Sequence, residues 1–394
     1  MTSRRWVPVA WIAACVPCAL LNAVIWLNTL RQGAIYTDFG GYYALARLGL
    51  AHGWASLYDL DQQRAAWMAT GPLHWYPNMY PPLVAWVVSP LTALPFPVAY
   101  GVWSLSMLVL LLVSWWIGAA GSRLERTAQL VAALGLLPAG FGLYIGQVLF
   151  VDLAAVLVCW WLLSRRREFA AGAVLAATAV KPQLAFLVPV ALLASYRLSS
   201  FGGWLLASAI VILAESLAIG PASIQIYVAR LQAAPANPAL LALQPDQSLP
   251  GLLGYGPAAA IAQGVVLAAV AAVGWRYRRS GPEIPIAAGL CGSLLATPFL
   301  HVEDFTLLLA AGWLYLRTRP RGLDVALLAV GYTTLQLALG GGLAIVPFEV
   351  AWLCAMLIRR PPVAPEMSFD PAGRPEREPV AVSASGGDAE AVQA

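Results

Sequence analysis

The chain is 394 residues long, 60% hydrophobic and only 11% charged, with a formal net charge of +4. Soluble globular chains carry about 25% charged residues, so a fold with a polar, water-facing exterior is excluded and lipid is the solvent that tolerates such a surface. The five cysteines, at 15, 18, 159, 291 and 354, all lie in apolar segments and form no disulfide framework, and no nucleic-acid partner is expected.

The first apolar run, 6–30, follows Arg4 and Arg5 and is too long for a signal peptide, so it predicts a transmembrane helix. Cys15-Val16-Pro17-Cys18 inside it has the letters of a redox motif but no βαβ pattern around it. A long connection, 31–95, comes next. Within it Tyr42, Tyr43, Leu45, Leu48 and Leu50 predict a helix that stops at His52-Gly53, and Asp59 to Met68 predicts another. Both read as interfacial helices lying on the leaflet, anchored by Trp54, Trp67, Trp75 and Tyr76. Residues 83–95, between Pro81-Pro82 and Pro95, predict a short re-entrant or interfacial helix.

Further apolar segments lie at 97–118, 127–142, 148–163, 169–180, 183–196, 202–220, 257–275, 284–299, 302–316, 322–339 and 343–358. With the first run they predict about twelve spans, although several are shorter than the roughly 20 residues a straight crossing needs. Pairs such as 169–180 and 183–196 are therefore candidates for merged or re-entrant elements. A second long connection covers 221–255. From Pro361 the chain is rich in Pro, Glu, Ala and Gly without apolar periodicity, which predicts a disordered tail over 361–394. The whole reads as an all-α polytopic membrane protein with a single transmembrane domain, 1–360.

The basic residues orient it. With the N-terminus inside, 18 of the 23 lysines and arginines fall in inside connections or the tail, and only Arg31, Arg47, Arg64, Lys181 and Arg230 fall outside. The positive-inside rule then places both termini in the cytoplasm and both long connections on the outer face of the cell membrane.

Chemistry-bearing residues gather on that outer face. Asp38 stands where the first helix leaves the membrane, among Tyr36, Phe39, Gly40, Gly41, Tyr42 and Tyr43. A carboxylate at a membrane border is costly unless solvated or used, and it can take the proton of a sugar hydroxyl; the alternative is an ordinary helix N-cap. Lys181, the chain's one lysine, precedes Pro182 and Gln183 between two apolar segments. An ammonium there suits a lipid phosphate, or merely snorkels to the interface. His301-Val302-Glu303-Asp304 follows Thr297-Pro298, and on a helix His301 and Asp304 share a face. That polar cluster suits a phosphate or sugar better than a metal, for which too few ligands are at hand. Gly146-Gln147 at a hairpin with Asp152 one turn deeper, Tyr80-Pro81-Pro82, and Asp246-Gln247-Ser248 complete the set.

In this order and spacing, the motifs resemble glycosyltransferase family 87, a polyprenyl-phosphate-dependent, mannosyltransferase-like family with the C-type membrane fold. The likeness runs from Tyr36 to about Asp304 and is carried by Thr37-Asp38-Phe39 with Tyr42-Tyr43, Leu57-Tyr58-Asp59, Tyr80-Pro81-Pro82 with Pro90-Leu91, Gly146-Gln147, Lys181-Pro182 and Asp246-Gln247-Ser248. The family commonly has Gly-Gln-Asn where this chain has Val148. The resemblance implies a metal-independent inverting transfer of a hexose, mannose first, from a polyprenyl-phosphate sugar to a glycolipid or glycan. It implies Asp38 as base and Lys181, His301 and Gln147 around the donor phosphate. Tyr43, Tyr80, Gln183, Asp246, Gln247 and Asp304 are the remaining substrate-binding candidates. A transporter or flippase of a sugar or lipid-linked sugar is the competing class, and it would use buried acids such as Asp152 and Glu215.

Overall fold

A computed structural model describes residues 6–32, 38–70, 75–233, 247–320, 322–337 and 345–359. Among these residues every regular element is helical. Helix α1 (Trp6–Gln32) leads to α2 (Asp38–His52), α3 (Leu60–Met68), α4 (Pro82–Val88) and α5 (Phe96–Gly118). Then come α6 (Arg123–Gly135), α7 (Leu137–Ile145), α8 (Leu149–Ser164), α9 (Glu168–Leu175), α10 (Leu187–Ala194) and α11 (Leu198–Ala233), which is two helices joined across a break at Gly220 (φ 75°, ψ 167°) before Pro221, so the helix runs on into the expected second connection. The chain closes with α12 (Leu249–Leu252), α13 (Pro257–Arg276), α14 (Glu283–Ala296), α15 (Leu308–Arg317), α16 (Leu323–Gln336) and α17 (Ile345–Ile358).

Four of these helices, α1, α5, α11 and α13, are long and apolar enough to cross a membrane, and α6 with α7, bent by 56°, makes a fifth if taken as one span. The other apolar helices are shorter. Helix α8, at 16 residues, reaches only about 24 Å at about 1.5 Å per residue, against a hydrocarbon core of about 30 Å. The segments 169–180 and 183–196 do not merge: α9 ends in a 3₁₀ turn, Ala176–Val180, and the chain breaks at Lys181 before a second turn, Pro182–Leu184. The tail from Arg360 onward, Asp246 and Tyr36-Thr37 lie outside the described residues.

Small residues let the helices meet. A Cβ on Gly172 of α9 would stand 1.7 Å from the Ser200 carbonyl oxygen of α11, and one on Gly203 would stand 2.2 Å from that of Phe169. Gly274 of α13 and Gly289 of α14 close on the backbone of α10 in the same way. The bend between α6 and α7 is set by Pro138, which cannot donate to the preceding turn. The backbone groups it frees find side chains on neighbouring helices. Asn22 of α1 donates to the Leu134 and Leu136 carbonyls at 2.9 and 3.3 Å. Gln336 of α16 accepts from the Leu137 N–H at 2.8 Å and donates to the Gly135 carbonyl at 2.8 Å.

The first connection departs from the sequence reading in its packing. Helix α2 begins and ends where expected, but it is buried from Phe39 to Ala46 and again at Leu48 and Gly49, so it lies inside protein and not on a leaflet. Glycines explain this: Trp67 packs against Gly41 and Trp54 against Gly49, so two of the expected lipid anchors close over α2.

Candidate active site

Five chain breaks converge at one end of the bundle, and each brings one or two polar side chains. The first is the start of α2, which carries Asp38. Tyr76 donates to its Oδ1 at 2.7 Å and the Gln147 amide donates to its Oδ2 at 2.5 Å. Among the described residues no backbone N–H reaches this carboxylate, so it is held by side chains from elsewhere and does not cap its own helix. The second break, residues 75–81, carries Tyr76 and Tyr80. Gln63, buried on α3, fixes it by accepting from the Asn78 N–H at 3.1 Å and donating to the Asn78 carbonyl at 3.2 Å. Tyr58 donates to the Tyr80 carbonyl at 2.9 Å.

The third break is the turn between α7 and α8. Gly146 takes the left-handed conformation (φ 71°), and the Gln147 N–H returns to the Gly142 carbonyl at 2.8 Å, which closes the helix end as a Schellman turn. A side chain at Gly146 would place its Cβ 2.9 Å from Phe39, so glycine is required for both conformation and space. From α5, Tyr100 donates to the Tyr144 carbonyl and Trp103 to that of Gly146, at 2.5 and 2.8 Å. The turn so fixed aims the Gln147 amide inward. Its Oε1 accepts from Tyr42 at 2.9 Å, Tyr80 at 3.2 Å and the Val148 N–H at 3.1 Å. Its Nε2 lies within hydrogen-bond distance of three acceptors, Asp38 Oδ2 at 2.5 Å, the Tyr80 hydroxyl at 2.9 Å and Glu303 Oε1 at 3.2 Å, so its two N–H groups are shared among them.

The fourth break holds Lys181, which donates to Asp304 Oδ1 and lies 5.8 Å from the centre of the Tyr80 ring. The fifth is a 3₁₀ turn, Val302–Leu307, whose N-terminal neighbour His301 donates its backbone N–H to Asp304 Oδ2 at 3.2 Å. His301 itself is extended (φ −107°, ψ 167°), and it is the Asp304 carboxylate, reaching back to the His301 N–H, that ties the two residues together. The His301 imidazole Nδ1 is 3.4 Å from Glu303 Oε1. Its side chain is 24% exposed while Glu303 is fully buried, so the imidazole lies nearer the mouth of the cluster than the acid does, with its Nε2 still buried and without a partner among the described residues.

Electrostatics follow from this layering. Burial, and then the negative charge of Glu303, push the Asp38 carboxyl up to about 6. For His301, burial works against a charged imidazole, but the hydrogen bond and charge of Glu303 outweigh it and raise its pKa above the ordinary value. The ligating atoms of His301, Glu303 and Asp304 lie within 4.8 Å of one another. The Lys181 ammonium on Asp304 already provides positive charge there and the His301 imidazole sits on Glu303 Oε1, while Glu303 Oε2 and His301 Nε2 have no partner among the described residues.

The structure therefore brings together Asp38, Tyr80, Gln147, Lys181, His301 and Asp304. Tyr43 lies off the network: its hydroxyl donates to the Leu94 carbonyl at 3.0 Å and its ring packs on Phe39 and Phe96. The neighbouring Tyr42, about 100° around the helix, is the one that reaches Gln147. Gln183 is half-buried in its turn and, among the described residues, makes no hydrogen bond to the cluster. Gln247 stands beside it, its N–H donating to the Leu300 carbonyl at 3.0 Å, and Asp246 lies outside the described residues. Tyr42 and Tyr76 were not among the sequence candidates for the site, although the aromatic run after Asp38 carried the signal, and Glu303 entered only as part of the His-Val-Glu-Asp string. Glu215, a candidate transport acid, instead accepts from the Leu83 N–H at 2.8 Å and caps α4.

A family model for glycosyltransferase family 87 matches residues 78–300, more than half of the chain. The chain belongs to glycosyltransferase family 87. It is thus a membrane glycosyltransferase, as the motifs led us to expect. No curated protein and no solved structure matches it. The family 87 match takes in Tyr80, Gln147, Lys181 and Gln247, whereas Asp38, Tyr76 and the His301–Asp304 turn stand outside it and are tied to it by hydrogen bonds.

Proposed function

We propose that this glycosyltransferase moves a hexose, mannose being the first expectation, from a polyprenyl-phosphate donor to a hydroxyl of a glycolipid or glycan. The transfer takes place on the outer face of the cell membrane, inverts the anomeric centre and uses Asp38 as base. One observation carries the reading. A half-buried carboxylate, free of any capping duty among the described residues, shares a single hydrogen-bonded network with a lysine and with an imidazole whose Nε2 has no partner among the described residues. Those are the two chemistries the transfer needs, side by side.

The acceptor hydroxyl gives its proton to Asp38 as its oxygen attacks the anomeric carbon from the face opposite the phosphate. The bond between that carbon and the phosphate oxygen breaks, and its electron pair leaves on the phosphate. His301 through Nε2, and Lys181 through the ammonium hydrogens not given to Asp304, offset that growing charge, which is stabilisation specific to the transition state. Tyr76 and Gln147 hold the base in place. The scheme calls on no metal.

The test is Asp38→Asn in purified full-length protein, assayed for transfer from a radiolabelled polyprenyl-phosphate hexose. Asparagine keeps the size and part of the hydrogen bonding, and is as good an N-cap as aspartate. The folded variant should lose roughly 10²–10⁴-fold in turnover while still binding the lipid donor. Near-normal transfer would end the assignment.

A further inference from the structure

Glu303 is fully buried in a turn of an apolar bundle, where a carboxylate survives only with partners. Its Oε1 has two, Gln147 Nε2 at 3.2 Å and His301 Nδ1 at 3.4 Å. Its Oε2 has none among the described residues. The same Gln147 nitrogen reaches Asp38 Oδ2. A single carboxylate oxygen therefore lies between the amide that holds the base and the imidazole at the mouth.

The other charged or titratable groups around it come from every neighbouring element. Tyr144 lies on α7, Lys181 at the break after α9, Asp304 in its own turn, and Asp38 and Tyr76 in the first connection, with Asp152 of α8 and Tyr80 one step further out, beside Lys181 and Asp304. Lys181 is engaged with Asp304. Asp152 is fully buried and, among the described residues, neither of its oxygens has a hydrogen-bond partner. That leaves His301 as the cation Glu303 holds, and Gln147 as its neutral donor.

We propose that Glu303 is a positioning residue for the transfer. It holds the His301 ring by Nδ1 so that Nε2–H faces the donor phosphate, and it fixes the Gln147 amide that orients Asp38. This rests on the roles given to Asp38 and His301 above, and adds that one acid links them. Gln147 cannot serve as that link alone, because it carries no charge to keep the imidazole protonated.

Two effects follow from neutralising Glu303. The repulsion felt by Asp38 falls, so the acid limb of the rate profile, expected near pH 6 from the raised Asp38 carboxyl, moves to lower pH. His301 loses its anionic partner, so the alkaline limb, where the imidazole deprotonates, also moves to lower pH. A residue that only packs would lower the folded fraction and leave both limbs in place.

The experiment is the pH profile of kcat/KM for polyprenyl-phosphate [³H]mannose, on full-length protein in nanodiscs, for wild type, Glu303→Gln and His301→Gln. Glu303→Gln should lose roughly tenfold or more in donor kcat/KM and shift both limbs downward. Adding Glu303→Gln to His301→Gln should then cost much less than it costs alone. Unshifted limbs with wild-type donor kcat/KM, alongside an inactive Asp38→Asn, overturn the role of Glu303 and leave the base assignment standing. An active Asp38→Asn overturns the base assignment by itself. Should Glu303→Gln fail to fold, Glu303→Asp carries the test, because it keeps the charge on a shorter arm. It should lose donor kcat/KM and move the alkaline limb in the same direction, and wild-type values for it overturn the proposal.

Discussion

Lys181 and Asp304 neutralise each other in a place where neither meets water, with side-chain exposures of 5% and 2%. Removing one partner of a buried pair strands the other charge at a cost of about 3–5 kcal/mol, whereas replacing both with apolar groups is often nearly neutral. Lys181→Met should therefore destabilise the protein by that order in thermal unfolding, and Lys181→Met with Asp304→Leu should recover most of the loss. If the double variant is no more stable than the single one, the pair is not the coupling the geometry indicates. Any loss of donor use in a Lys181 variant must accordingly be read beside its stability. Asp38 has the opposite sensitivity, to solvent conditions. Burial raises its carboxyl to about 6, and only the ionised form accepts a proton, so the transfer rate should climb as pH rises through about 6, until the alkaline limb set by His301 brings it down again. A rate already at its plateau at pH 5 would remove Asp38 from the proton transfer. Asp38, Lys181 and His301 were legible in the sequence because charge is rare in an apolar chain and its location is therefore informative. Their partnering was not. Nothing in the spacing of Lys181 and Asp304, 123 residues apart, announces an ion pair, and nothing in Tyr42-Tyr43 says which ring turns inward.

At the scale of elements, the site exists because helices stop short. Gln147, Lys181 and His301 stand at breaks where the backbone changes from helix to turn, and the freed groups orient the side chains that follow. The bend between α6 and α7 belongs to the same design. It points the far end of α7, and hence Gly146 and Gln147, at Asp38, and it is kept satisfied by Asn22 and Gln336. Gln336→Leu leaves the Leu137 N–H and the Gly135 carbonyl without that partner, and a buried unsatisfied group costs about 1–3 kcal/mol. The variant should melt earlier and, by loosening the direction of α7, transfer sugar more slowly, although Gln336 touches no substrate. An unchanged melting temperature would mean that the bend holds itself. Sequence periodicity located α2 and its stop at His52, and found each apolar segment. It did not separate 127–142 into two helices, because a proline near a helix start and a proline at a bend read alike in one dimension. It placed α2 on a lipid surface, because one dimension does not show that Gly41 and Gly49 leave room for the rings of Trp67 and Trp54.

For the whole molecule, the distribution of arginine has a structural side as well as a topological one. Arg317 donates to the carbonyls of Ile117, Gly118 and Ala119 at the end of α5, and Arg126 donates to those of Trp116 and Ala119. Cations there complete exposed carbonyls and match the negative end of the helix dipole. Arg197 pairs with Glu168 and reaches the Ser280 carbonyl, and Arg359 reaches Thr318. These contacts tie neighbouring turns into one arginine-rich collar, and the acid-rich cluster of Asp38, Glu303 and Asp304 is built from a different set of turns. Capping explains why an arginine is useful at a helix end but not why nearly all of them share one set of connections; the positive-inside rule does. The orientation is therefore a separate prediction that capping alone does not make. In a variant lacking the native cysteines, Thr70→Cys in the first connection should react with a membrane-impermeant maleimide applied from outside intact cells. Arg166→Cys, in the turn between α8 and α9, should react only after the membrane is opened. The reverse pattern would put the collar outside and the Asp38 cluster on the cytoplasmic side, and a donor presented at the outer leaflet could then not reach it.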